Sequence, residues 1–183
     1  MQEGEFKKGL DEIIILGTGR SCCHCPTEHR EGVEIWGCPF TVKWGYVDRV
    51  FQIHKKFSDK NIEKDFIVSA NNNPSARVYT AVEEPQLVNS TVFPIDEVME
   101  EFNMKFFLNT LCYMIALAIM QKPKKIQCYG VDMRNKMEYI TEKGCVEFWL
   151  GVALGRGIKV ATTTCSNVLG TVDPNRSSMY GYE

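Results

Sequence analysis

No stretch of this chain is apolar for the ~20 residues that a membrane-crossing helix needs, so a bilayer-spanning role finds no support in the sequence. Residues 1–10 are charged and lack the apolar core of a secretion signal. Charge of one sign is not in excess either. There are 21 basic and 23 acidic residues for a formal net charge of −2, with no long charge run. That argues against a dedicated nucleic-acid surface, which shows a basic surplus. Internal repeats and low-complexity segments are missing, and no Ser-His-Asp or paired-carboxylate arrangement can be read from the sequence. Together these absences point to a cytoplasmic globular protein with no membrane partner, and they leave homo-oligomerisation open.

What is present is a hydrophobic content of 44% over 183 residues and a mean hydropathy of −0.20. This suits a single domain able to bury ~70% of its unfolded surface, with a core over residues 12–161 and a tail over 162–183. Eight cysteines stand out. Without a secretion signal they are expected as reduced thiols rather than a disulfide framework. Cys112, Cys128 and Cys145 lie inside apolar patterns and read as small buried hydrophobes.

The stretch that organises the chain is EIIILGTGRS, residues 12–21. A short apolar, largely β-branched run suits a strand covered on both faces. Gly17 and Gly19 then permit the sharp turn that follows. The C-terminal edge of a parallel sheet is where open α/β folds bind ligands. Thr18 and Ser21 bring hydroxyls there, and Arg20 a guanidinium suited to phosphate or carboxylate. The third glycine of the dinucleotide fingerprint is missing, so the loop alone reads either as an anion site or as an ordinary turn.

Further strands are predicted over residues 33–37, 49–53, 66–69, 78–82, 126–131 and 158–161. Residues 55–64 read as loop or helix and 83–91 as loop. Helices are predicted over 94–102, 111–120 and 142–154. Strands alternating with helices of this length mean an α/β fold with a mostly parallel sheet.

Three constellations can carry chemistry. Cys22, Cys25, His29 and Cys38 have the ligand types of a tetrahedral Zn²⁺ site, although the cysteines crowd together at 22, 23 and 25 and no second CxxC follows to make the usual pair; the other reading is a cysteine-rich loop. A cysteine beside Arg20 could also have a favoured thiolate. Asn109 and Thr110 cap the apolar helix behind them, and a buried helix N-terminus is a natural phosphate seat as well as a plain cap. Asp132, just after a core strand, could bond a ribose, hold Mg²⁺ or act as a base, or merely cap a turn. His54, after the third strand, is the candidate acid/base group. Glu138, Tyr139 and Glu147 follow in and around the next helix.

The segments ILGTGRS, EIWG, DRVFQIH, NTLCYMIALAI, CYGVDM and VEFWLGVALGRGIKV resemble a group of small Rossmann-like proteins common in bacteriophage genomes. That group is distantly similar to MptE-like 6-hydroxymethylpterin diphosphokinases, motility accessory factors and bacterial sialyltransferases, which share a GxGxS loop, a helix opening at Ser or Thr, and a strand ending in G-x-D. The resemblance implies a Rossmann-like three-layer sandwich and a nucleotide bound across Gly17, Thr18, Gly19, Ser21, Thr110 and Asp132. Arg20 departs from the proline usual in that loop. The leading expectation is a phage-encoded, transferase-like protein acting in the host cytoplasm on a nucleotide or nucleotide sugar, with Arg20 and Asn109 adding to the site and His54 and Asp132 as catalytic groups. Two alternatives are a protein that captures a nucleotide without turning it over and a zinc-stabilised interaction module.

Overall fold

The computed structural model describes residues 9–55, 57, 59–133 and 137–170, with the side chains of 137–140 excepted. Among these residues seven strands form one sheet in the order β5-β4-β3-β2-β1-β6-β7, and every neighbouring pair is parallel. They are β1 (Glu12–Leu16), β2 (Val33–Gly37), β3 (Arg49–Gln52), β4 (Arg77–Thr80), β5 (Ser90–Val92), β6 (Lys125–Tyr129) and β7 (Lys159–Ala161). The helices are α1 (Lys60–Asn71), α2 (Ile95–Phe102), α3 (Thr110–Gln121) and α4 (Met137–Gly155). The expected Rossmann-like α/β architecture is the observed one.

The period of two along β1 decides the layering. Ile13 and Ile15 face the larger core, which contains Trp36, Phe51 and Tyr79 of the sheet and the buried sides of α3 and α4. Ile14 and Leu16 face a smaller core with Ile35, Val50, Val78 and, from α1, Phe66 and Ala70. Helix α3 (TLCYMIALAIMQ) is apolar nearly all round and is buried over most of its length, as its composition requires. No helix among the described residues is long and apolar enough to cross a membrane.

Two expectations fail. Residues 66–69 belong to α1 rather than to a strand. Asp59 accepts from the amides of Asn61 and Ile62 and starts the helix, and Phe66 and Ala70 at i, i+4 make its buried stripe while Val68 stays exposed. β5 lies where a loop was expected, because its three residues are too few and too polar to signal a strand and it forms only by pairing with β4. α4 begins earlier than expected, at Met137.

From β1 the chain winds outward through β5, then returns to the other side of β1 as β6. The direction of winding therefore reverses at β1 and β6, where open α/β folds place their ligand crevice.

Candidate functional site: a cleft at the carboxyl edge of the sheet

The loops leaving β1 and β6 are laced together. The Gly17 amide donates to the Tyr129 carbonyl at 2.8 Å and the Gly19 amide to the Gly130 carbonyl at 2.8 Å. The Ser21 amide donates to Asp132 Oδ2 at 2.9 Å and its hydroxyl to Asp132 Oδ1, while the Gly130 amide donates to Ser21 Oγ at 2.8 Å. Such an approach needs bare backbones. A Cβ on Gly19 would sit 2.7 Å from both Asp132 Oδ2 and the Gly130 carbonyl oxygen, and one on Gly17 would strike that same carbonyl. Gly130 itself turns through a positive φ of 66°.

This lacing changes the reading of the loop. The amides of Gly17, Gly19 and Ser21 are spent on the last residue of β6 and the loop after it, so Thr18 and Arg20 are the loop residues whose amides have no protein acceptor among the described residues. Ser21 is buried behind the loop, 1% exposed, and acts as its internal rivet.

Beside the laced loops opens a cleft of about 550 Å³. Gly17, Thr18, Gly19 and Arg20 line one side, Asn109 and Thr110 at the head of α3 another, and His54 and Asp132 also contribute. Seven of the eight residues expected to bind nucleotide, with the expected acid/base group, therefore meet in one cavity; Ser21 is the one held back. Asn109 Oδ1 accepts the Cys112 amide at 3.1 Å, the expected helix cap, and its Nδ2 donates to Glu142 Oε2 at 3.1 Å. Glu142 also lines the cleft. Nothing in the sequence marked it, since it joins Asn109 only through the packing of α4 on α3. Cys38, read from the sequence as a metal ligand, lines the cleft instead.

A second cavity of about 440 Å³ opens from the same place and shares Thr18, Cys38, His54 and Thr110 with the first.

The metal expectation does not fit the donor set. Among the described residues no three or more His, Cys, Asp or Glu side chains stand close enough to share an ion. Cys25 is buried and its thiol donates to the Pro26 carbonyl, while exposed His29 lies 3.6 Å from Asp48. Burial pushes the thiols of Cys25 and Cys38 up to about 11. The Cys22 thiol is also raised, by partial burial and by the nearby Cys23 and Asp132, which disfavours at this position the thiolate expected beside Arg20. Asp132 turns both carboxylate oxygens toward Ser21, and it joins no group of three or more such side chains among the described residues.

Glu147 points neither into the cleft nor simply to solvent. Its Oε1 accepts from the Leu169 amide at 2.8 Å and from Lys143 Nζ at 3.1 Å, pinning the segment after β7 to α4. The side chains of Glu138 and Tyr139 and residues 171–183 lie outside the described residues.

No protein-family model matches the sequence, and no curated protein matches it. Solved structures do match. The sialyltransferase CstII from Campylobacter jejuni, in complex with the substrate analogue CMP-3FNeuAc, superposes with a TM-score of 0.53 at 16% identity, covering 86% of this chain and 82% of that one. The same enzyme with cytidine-5'-monophosphate gives 0.51 at 16% identity over 87% and 81%. An α-2,3-sialyltransferase from Campylobacter jejuni in apo form gives 0.52 at 14% over 89% and 78%. The likeness is one of fold. At this identity it establishes a shared α/β fold and nothing about residue roles, which rest on the cleft itself.

Proposed function

We propose that this chain is a nucleotide-binding, transferase-like protein whose cleft receives a nucleotide sugar. The observation that carries the reading is the meeting of the Gly17–Arg20 loop, the head of α3 and His54 in one cavity of about 550 Å³, a size in the ~300–1,000 Å³ range of small-molecule sites. The phosphate would lie at the α3 N-terminus, where helix amides and the Thr110 hydroxyl can donate, with the Arg20 guanidinium as counter-charge. Asp132 would act through Ser21, holding the loop in shape rather than touching the reacting atoms. The choice of nucleotide sugar, with CMP as first probe, draws on the fold neighbours, which carry CMP or CMP-3FNeuAc. The sequence resemblance to phage proteins supports a phage-encoded protein working in the host cytoplasm.

In such a transfer an acceptor hydroxyl oxygen bonds to the anomeric carbon of the sugar. The bond from that carbon to the phosphate oxygen breaks, and the nucleotide leaves with the electron pair. His54 is the cleft residue suited to take the acceptor's proton. The competing reading, capture without turnover, shares every binding contact and differs only in outcome.

Incubation with CMP-sialic acid, followed by chromatography of the products, separates the two. Release of CMP, slowed about 10²-fold or more by His54→Ala, is the expected result. Ligand bound and recovered intact would favour capture, and no binding by a folded protein would overturn the nucleotide-sugar reading.

A further inference from the structure

The second cavity differs from the first in its walls. Pro39, Phe40, Phe57 and Ile62 form its apolar side, and Thr18, Gln52, His54 and Thr110 its polar side toward the first cleft. Phe40 is 58% exposed and Ile62 39% exposed, so their side chains present apolar surface that no part of the described chain covers. Both also border a further small cavity with Pro39 and Phe66, where Lys43 and Asp65 add charge to the lining. Phe57 is fixed by packing on Phe66, with ring centroids 5.3 Å apart. Gln52 is buried and its Nε2 donates to the His54 carbonyl at 3.4 Å, tying the segment after β3 to the strand end. His54 thus stands where a polar cleft and an apolar annex meet.

We propose that the annex is the subsite of a second substrate, a hydroxyl-bearing small molecule with an aromatic or otherwise apolar body. The body would lie on Phe40, Phe57 and Ile62, and the hydroxyl would point to His54 and the first cleft. A free sugar or a second phosphate fits poorly, because the apolar wall offers no donors and no positive charge. The annex deepens the nucleotide-sugar reading and rests on it only for the pairing of the two ligands; the binding of an aryl hydroxyl stands by itself.

The test uses 4-methylumbelliferone, a fluorescent aryl hydroxyl, titrated into the full chain with and without saturating CMP. Expected is saturable binding, weakened about tenfold by Phe40→Ala and by Phe57→Ala. CMP should neither displace the probe nor bind differently to either variant. Phe40 is exposed enough for its truncation to leave the fold intact, so that variant stays decisive if Phe57→Ala disturbs α1. Probe binding indifferent to Phe40→Ala, displacement by CMP, or no probe binding would each overturn the annex. Failure of CMP alone to bind, with the Phe40-dependent site still present, would overturn the nucleotide reading and keep the annex.

Discussion

Asp132 lines the cleft, yet both of its carboxylate oxygens accept from Ser21, one from the amide and one from the hydroxyl. Ser21 Oγ in turn accepts the Gly130 amide. These three residues act as a unit, so removing either side chain strands polar groups on the other. A double-mutant cycle of Ser21→Ala and Asp132→Ala, read by denaturant unfolding, is expected to show a coupling of about 1–3 kcal/mol. Additive losses would mean that Asp132 is free for chemistry. The position of Asp132 after a strand, and the hydroxyl of Ser21, were both legible in the sequence. That they would be spent on one another was not, since 111 residues separate them and only the pairing of β1 with β6 joins them.

At the scale of elements, two glycines carry opposite consequences. Gly19 stands where the β1 and β6 loops touch, and the nearest atoms to an added Cβ include backbone. Gly19→Ala is therefore expected to destabilise the fold by about 1–3 kcal/mol. Gly151 lies exposed inside α4 with nothing within 4 Å of an added Cβ. There alanine should stabilise the helix by roughly 0.5–1 kcal/mol. Thermal or urea unfolding of the two variants checks both signs, and a neutral Gly19→Ala would contradict the close approach of the loops. Most elements announced themselves through pattern: the continuous apolar run of β1, the alternation of strands with helices, the nearly all-apolar α3. The exceptions have physical causes. In α1 the letters FIVS favour a strand locally, but the Asp59 cap and the Phe66–Ala70 spacing win. β5 has no apolar signal of its own and exists through its partner.

For the whole molecule, the buried thiols of Cys25 and Cys128 and the half-buried thiol of Cys38 set an alkaline limit. Burial pushes Cys25 and Cys38 up to about 11 and Cys128 to about 12. The folded state thus holds these protons more tightly than the unfolded chain does, and the unfolded chain releases them first. Their contribution is fully present below the ordinary thiol range and is lost as pH rises through the folded values. Stability measured by urea unfolding should fall steadily above about pH 9, with a shallower decline in Cys38→Ser. A flat profile to pH 11 would contradict this.

The cleft was largely legible because its parts sit at strand ends and one helix start, where fold topology fixes position. The annex was not, since Phe40, Phe57 and Ile62 come from segments with no shared pattern. The most direct measurement of the central claim is calorimetric titration of CMP into the purified chain and into Thr110→Ala. One site per chain, weakened about tenfold or more by the substitution, is the predicted result. No binding to the folded protein, or binding unchanged in Thr110→Ala and Arg20→Ala alike, would contradict a nucleotide site at the carboxyl edge of this sheet.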